Sequence, residues 1–422
     1  MKDVVVIGEG MIELSRADGA AESWVLRSGG DALNVAVYMA RLGARVSFLT
    51  ALGDDMMSRS MRAEWAAESL DMSMVLTVTG RQPGLYMIET DASGERSFHY
   101  WRENSAARAM FSADGIDAAL ERASTAACLY LSGITLSIFA DEHRARLVRL
   151  CEDVARAGGT VAFDPNYRLR GWASAEAARA AIAAIAPFVN IVLPTLADET
   201  MLYGDTTVEA CVERWMSLGI GEIAVKLGAE GVATHADGST QIISGDLNPL
   251  PRDTTGAGDA FNAAYLCARL EGYCPSDSAH RGNRLASAVI RHSGAIIVKD
   301  ARRCRTMLGE AHKRQAGRME FGVIADPEVR AFFAKLSPIN NVAKITTPML
   351  VMHGANDPRD PVTESDRLVE GIRANGGQVT YLRFPDEGHG ISRLANRVHG
   401  YRRIAAFLEE HFGFGRSPAS PD

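Results

Sequence analysis

The run Asp253-Thr254-Thr255-Gly256-Ala257-Gly258-Asp259-Ala260-Phe261 carries the most chemistry in the chain. Two glycines and an alanine leave backbone N–H groups unobstructed, and a helical pattern over 257–270 follows at once. Those N–H groups therefore stand at a helix N-terminus, where unpaired donors and the macrodipole favour an anion. Asp259, in the first helical turn, can accept a proton from a hydroxyl as that hydroxyl attacks phosphorus. Taken alone, the same residues also fit a glycine-rich loop that caps a helix, with Asp259 as its N-terminal charge. A second turn, Ser28-Gly29-Gly30-Asp31-Ala32-Leu33-Asn34-Val35-Ala36, opens another helical pattern. There the glycines let a ligand approach the main chain, and Asp31 and Asn34 place polar groups beside it. Alone, this too fits a simple strand-to-helix turn. The chain has no GxxxxGK[ST] and no GxGxxG, which disfavours a P-loop kinase and a dinucleotide-binding dehydrogenase.

A frame for these turns is legible as well. Short apolar runs at 4–7, 46–50, 128–132, 161–164, 191–193 and 223–226 alternate with amphipathic stretches at 32–42, 56–69, 141–157, 175–185 and 257–270. The alternation predicts an α/β fold, a mostly parallel central sheet with helices on both faces. Residues 22–27 and 84–101 break the pattern and read as antiparallel strands, the second pair turning at 91–94. Strands inserted into such a core are expected to form a small lid.

The length of 422 residues suggests two to three domains. A net charge of −7 with no basic block argues against nucleic-acid and anionic-membrane partners. The longest apolar run, 180–189, is half of the ~20 residues that a membrane span needs. The N-terminus runs straight into a strand-like segment, so no signal peptide is expected. Six cysteines without a CxxC pair fit reduced thiols, and a cytoplasmic location is expected. A seam lies near residue 310: every cysteine precedes it, and from residue 317 acidic and basic residues are equal in number. The expected domains are 1–305 and 317–415, joined by a linker at 306–316 and followed by a disordered Ser/Pro-rich end at 416–422.

Joined by Leu42-Gly43 and Leu52-Gly53-Asp54-Asp55, the two glycine turns resemble the ribokinase-like (PfkB-type) sugar kinase family. Within it, Pro83-Gly84-Leu85-Tyr86-Met87-Ile88-Glu89-Thr90, Gly94-Glu95-Arg96-Ser97-Phe98-His99-Tyr100-Trp101-Arg102 and Phe163-Asp164-Pro165-Asn166-Tyr167-Arg168 closely resemble the 2-keto-3-deoxygluconate kinases. So do Gly8-Glu9, Met11-Ile12-Glu13-Leu14 and Leu131-Ser132-Gly133-Ile134. The likeness runs over residues 1 to about 305. It implies ATP-dependent phosphorylation of a 2-keto-3-deoxy sugar acid at its terminal hydroxyl, with Asp259 as base and Gly256, Ala257 and Gly258 as anion hole. It places Tyr86, Tyr100, Arg102 and Arg168 at the acid end of the substrate, and Gly30, Asp31, Asn34 and Ile134 along the sugar. The chemistry agrees, because a carboxylate needs charge-assisted donors that a neutral sugar does not. Lid packing for the tyrosines and surface ion pairs for the arginines are the structural alternatives.

For the nucleotide, the resemblance points to Lys226, Gly228, Gly231, Thr255, Gly258 and Asn283. An exposed strand-end charge is the other reading of Lys226. ATP and Mg²⁺ are the implied cofactors, and a monovalent cation is left open. Thr195-Leu196-Ala197-Asp198-Glu199 stands where the family has Asn-x-x-Glu, so the Asn is absent and Glu199 keeps an indirect, water-mediated place near the metal. Fructokinase and 2-keto-3-deoxygalactonate kinase are the rival specificities, and a homo-oligomer is left open.

Beyond residue 317, Gly354-Ala355-Asn356-Asp357-Pro358-Arg359 and Phe384-Pro385-Asp386-Glu387-Gly388-His389-Gly390 resemble the C-terminal end of a prolyl-oligopeptidase-type α/β-hydrolase. The resemblance gives Asp357 and His389 the acid and base positions of a Ser-His-Asp triad. The chain contains no GxSxG nucleophile elbow. The tail therefore reads as a non-catalytic fragment, with Asp357 and His389 as remnants; a serine hydrolase acting through it is the alternative.

Overall fold

The structure is a computed structural model that describes residues 3–17, 20–90, 96–245, 251–297, 334–335, 337–357 and 360–412. The chain divides into two compact units, Met1–Ala311 and His312–Asp422. The linker expected at 306–316, the turn expected at 91–94 and the tail at 416–422 lie outside the described residues.

The first unit is built on a nine-stranded sheet. Its parallel strands are β1 (Asp3–Ile7), β4 (Arg45–Leu52), β5 (Val75–Thr77), β8 (Cys128–Ser132), β9 (Thr160–Asp164), β10 (Ile191–Val192) and β11 (Glu222–Lys226). An antiparallel end is added by β12 (Gly231–Ala236) and β13 (Ser239–Ser244), giving the order β13-β12-β11-β10-β9-β8-β1-β4-β5. The central strands are buried on both faces, which is why they read as unbroken apolar runs. Val5 and Ile7 pack into one helix-covered core, Val4 and Val6 into the other. The covering helices are α1 (Asp31–Arg41), α2 (Met56–Ala67), α3 (Ile116–Ala123), α4 (Gly133–Ser137), α5 (Asp141–Arg156), α6 (Ala175–Ile185), α7 (Leu196–Tyr203), α8 (Val208–Ser217), α9 (Ala257–Leu270) and α10 (Pro275–Val289). The α/β architecture is the expected one. The β12–β13 hairpin is an addition to it that the apolar runs do not announce.

The lid is larger than the sequence suggests. It is a separate four-stranded sheet made of β2 (Met11–Ala17), β3 (Ala20–Gly29), β6 (Gly84–Thr90) and β7 (Arg96–Trp101), in the order β3-β2-β6-β7. β2 pairs parallel with β6, opposing Glu13 to Tyr86. Met11–Ala17 escapes a pattern reading because its inward position 13 is a glutamate, 1% exposed, where a strand would normally place an apolar residue.

The second unit holds two parallel strands, β14 (Met349–Gly354) and β15 (Val379–Phe384), with α11 (Val362–Ala374) between them in sequence and α12 (Leu394–Phe412) after them. Gly400 brings α12 against the strands; a Cβ there would stand 2.8 Å from Met352 Cε. The Glu387 carboxylate accepts the N–H groups of Ser392 and Arg393, the Ser392 hydroxyl and the Asn396 amide. These bonds, the Ser392 N–H foremost, pull its pKa down to about 2. Among the described residues, no helix is long and apolar enough to cross a membrane.

Because the two units are separately compact, a chain ended after Arg305 is expected to fold and to keep the turnover of the full chain. Steady-state kinetics and thermal melting of both forms check this. Loss of activity on truncation would make the second unit part of the enzyme.

Candidate active site

The polar residues of the first unit converge at the C-terminal edge of its parallel strands, where ligands of open α/β sheets bind. Glu9 follows β1, Asp164 ends β9, Thr195 follows β10 and Lys226 ends β11. Two helices begin at the same edge. Gly30 precedes α1 at φ +133°, and a Cβ on it would lie 2.4 Å from the Glu9 carbonyl oxygen. Gly256 precedes α9 at φ +74°, with Ala295 2.8 Å from any added Cβ. Both positions demand glycine by conformation and by space.

The loop before α9 is held by Asp253. Its carboxylate accepts the N–H of Thr255 at 2.8 Å and that of Gly294 at 2.7 Å. The first turn of α9 then presents Gly256, Ala257, Gly258 and Asp259, all half-buried. Asn34, on α1, donates its amide to Asp259 Oδ2 at 2.7 Å, and its own Oδ1 is buried with no partner. Burial, then the charges of Asp31 and Asp164, push the Asp259 carboxyl up to about 7, against the Asn34 hydrogen bond and Lys226. A base poised near neutrality is what proton abstraction from an alcohol requires.

Lys226 is not an exposed strand end. It is 7% exposed and donates to Asp164 Oδ2 at 2.7 Å and Asn262 Oδ1 at 3.1 Å. Asn262 returns its amide to Asp164 at 2.6 Å and to the Tyr130 hydroxyl at 3.2 Å. The Lys226 ammonium also flanks the loop, 3.8 Å from where a Gly258 Cβ would be. Asp31 accepts from Asn166 at 3.2 Å, and Asn166 holds a left-handed φ of +35°. Burial raises the Asp31 carboxyl too.

The lid brings its own charges. Arg102 donates to Glu9, and both keep a buried atom without a partner, Arg102 Nε and Glu9 Oε1. Tyr86 donates to Glu13 at 2.5 Å. Burial, followed by Glu13, raises the Tyr86 phenol well above its usual range, and Asp259 adds to the effect, so the lid lies within electrostatic reach of the base. Tyr100 stands 6.0 Å from the Tyr86 ring, and the Arg102 guanidinium 5.9 Å from the Tyr100 ring.

The remaining expected residues are placed as follows. Arg168 is at the rim, both oxygens of Asp198 at 2.9 Å from its Nη1. Ile134 is half-buried on α4. Gly228 and Gly231, at φ +64° and +108°, form the β11–β12 turn. Asn283, on α10, donates to the carbonyls of Ile243 and Ser244 and so fixes the end of β13. Glu199 is fully buried; it receives Arg214 and, at 3.1 Å, the Trp215 indole, and its pKa is pushed up to about 7, chiefly by burial. Asp198, the neighbour of Glu199, supplies the carboxylate facing Arg168. In the second unit His389 Nδ1 and Asp357 Oδ2 are 2.9 Å apart.

Asp164, Asn262, Glu9, Glu13 and Asp253 stand in the site without being among the residues that the sequence singles out for it. A signal exists for Asn262, a lone amide in the otherwise apolar stretch Ala260–Ala264, and for Asp164, a charge closing a buried strand.

Comparison with known proteins shows the families to which the two parts of the chain are similar. Residues 1–302 match the family of pfkB carbohydrate kinases, and residues 278–415 the prolyl oligopeptidase family. The 2-dehydro-3-deoxygluconokinase of Dickeya dadantii is 38% identical over 308 residues, 71% of this chain and 98% of that protein. The enzyme of the same name from Escherichia coli K12 is 39% identical over the same shares. Among solved structures, a PfkB protein from Polaromonas sp. JS666 superposes with a TM-score of 0.61 at 29% identity, covering 70% of this chain and 97% of its own.

Two consequences are measurable. Removing the cation by Lys226→Met strands a buried Asp164 charge and should destabilise the first unit by about 3–5 kcal/mol in denaturant unfolding. For Asp259, the unfolded chain ionises at its ordinary value of 3.8 and the folded one near 7. The folding penalty is therefore absent below pH 3.8, grows between 3.8 and about 7, and is complete above. Asp259→Asn should accordingly raise the melting temperature at pH 8 and change it little at pH 4; an equal effect at both would refute the raised pKa.

Proposed function

Over residues 1–302 the chain belongs to the pfkB family of carbohydrate kinases, and on that premise we propose that it transfers the γ-phosphoryl group of ATP to the terminal hydroxyl of 2-keto-3-deoxygluconate, giving the 6-phosphate. The observation that carries this reading is the arrangement across the site: a base and a helix N-terminus on one wall, and Arg102 on the lid opposite, its Nε buried without a partner. Arg102 already pairs with Glu9, and its spare Nε donor is one that the carboxylate of a keto-deoxy acid takes up in a charge-assisted bond, stronger than a neutral hydroxyl makes. Relatives at 38–39% identity named 2-dehydro-3-deoxygluconokinase support the same substrate.

In this reading Tyr100 and Arg168 complete the acid end with Arg102, while Tyr86 acts from the lid and Gly30, Asp31, Asn34 and Ile134 line the sugar. The free Oδ1 of Asn34 suits a sugar hydroxyl, and its amide holds Asp259 in line. Asp259 takes the proton of the attacking hydroxyl. The N–H groups at Gly256, Ala257 and Gly258 receive the charge that develops on the phosphoryl oxygens, an interaction typically worth about 3–4 kcal/mol per donor. Lys226, Thr255, Gly228, Gly231 and Asn283 form the nucleotide side. The surplus of carboxylates over cations at the strand ends suits a hard divalent ion. Asp164 and Asp198 would hold Mg²⁺, with Glu199 acting at a remove through α7, and the bound ion would supply charge neutralisation of the triphosphate. A closed lid excludes water, the competing acceptor.

A substrate panel with an ATP-coupled readout tests the reading. The expected order of kcat/KM places 2-keto-3-deoxygluconate first, above its galactonate epimer and far above fructose; fructose in first place would overturn it. Arg102→Ala should raise KM for the acid by roughly ten- to a hundredfold, the worth of one charged hydrogen bond, and leave KM for ATP unchanged. Equal KM values for the acid in both proteins would place its carboxylate elsewhere.

A further inference from the structure

One row of side chains crosses the whole lid. Arg27 on β3, Glu13 on β2, Tyr86 on β6 and Tyr100 on β7 are successive register partners. Partners across neighbouring strands share a face of the sheet. The row therefore reads cation, carboxylate, phenol, phenol from one edge of the lid to the other.

The protons of this row all point at Glu13. Arg27 Nη1 donates to the Ser15 hydroxyl at 3.0 Å and stands 3.8 Å from Glu13 Oε1. The Ser15 hydroxyl donates in turn to Glu13 Oε1 at 3.4 Å. From the other side, the Tyr86 hydroxyl donates to Glu13 Oε2 at 2.5 Å. Burial raises the Glu13 carboxyl, and the Tyr86 bond and the Arg27 charge limit that rise. A carboxylate met only by donors holds the row in this polarity.

Tyr86 has one proton, and Glu13 takes it. The phenol oxygen then offers lone pairs alone to anything else that reaches it. Its place is beside the first glycine turn: a Cβ on Gly29 would lie 2.1 Å from the Tyr86 hydroxyl oxygen. The Asp259 charge is felt by the same phenol, so the hydroxyl faces the site from the lid. A carboxylate brought to that oxygen would set lone pair against lone pair, whereas a hydroxyl would donate to it.

We propose that Glu13 is a positioning residue that sets specificity: by taking the Tyr86 proton it presents the Tyr86 oxygen as an acceptor for a hydroxyl of the sugar, and leaves the substrate carboxylate to Arg102, Tyr100 and Arg168. Glu13 acts only through Tyr86. The inference rests on the proposed sugar-acid substrate, because only an acid end needs to be kept apart from a hydroxyl end.

Steady-state kinetics of Glu13→Met, Tyr86→Phe and the double variant test this, on the sugar that the substrate panel ranks first. Glu13→Met releases the Tyr86 proton and should raise KM for the sugar by about three- to tenfold, the worth of one ordinary hydrogen bond. A loss of uniform binding leaves kcat and KM for ATP within about twofold of the wild type. In the Tyr86→Phe background, Glu13→Met should raise KM for the sugar no further. Tyr86→Phe alone strands a buried carboxylate, so a second comparison uses Glu13→Met alone with monodeoxy analogues of the sugar. At least one analogue should lose about three- to tenfold in kcat/KM with the wild type and nothing with Glu13→Met, since a hydroxyl is missed only where its acceptor is fixed.

An unchanged KM for the sugar in Glu13→Met would overturn the proposal. So would a fall in kcat or a rise in KM for ATP as large as the rise in KM for the sugar, or monodeoxy penalties that Glu13→Met leaves intact. Fructose in first place in the panel would overturn the sugar-acid reading instead, and the same comparisons made on fructose would still decide whether Glu13 acts through Tyr86.

Discussion

Three carboxylates, Asp31, Asp164 and Asp259, are gathered at one sheet edge with the buried ammonium of Lys226 among them. That imbalance governs the rest of the site. Lys226 spends its charge on Asp164 and Asn262, so it offsets the Asp259 charge only in part. Asp259 accordingly sits near neutrality instead of in the usual carboxylate range. The same crowding explains why amides recur here. Asn34, Asn166 and Asn262 each donate to one of the three acids, satisfying oxygens without adding a positive charge that would depress the base. The fold bears the cost of these buried charges in order to hold a proton acceptor beside a helix N-terminus.

Much of this is legible in the residues. The parallel strands declare themselves because burial on both faces removes the polar alternation, and helices such as Ala175–Ile185 and Ala257–Leu270 follow the pattern to the residue. The two glycine turns are legible because only glycine tolerates φ +133° with a carbonyl oxygen 2.4 Å from its missing Cβ. The lid pairings are not. Arg102 meets Glu9 and Tyr86 meets Glu13 only because β2 runs parallel to β6, and that register is a property of the assembled sheet. Asp164 and Asn262, 98 residues apart, are joined by tertiary structure alone.

The second unit illustrates the opposite limit. Its Asp357–His389 pair is expected only from the resemblance of two short motifs to a hydrolase, and the structure brings the two side chains together, yet that likeness says little about use. A base and an orienting acid without a nucleophile retain little catalytic power.

The central claim is that Asp259 is the proton acceptor of a sugar-acid kinase. The pH dependence of kcat/KM for 2-keto-3-deoxygluconate, at saturating ATP and Mg²⁺, tests it most directly when wild type and Asp259→Asn are measured together. The wild type is expected to lose activity with unit slope as pH falls through about 7, and the variant to turn over some ~10²–10⁴-fold more slowly with no such limb. A variant that kept the limb at the same pH, or more than about a tenth of the wild-type rate, would contradict the assignment.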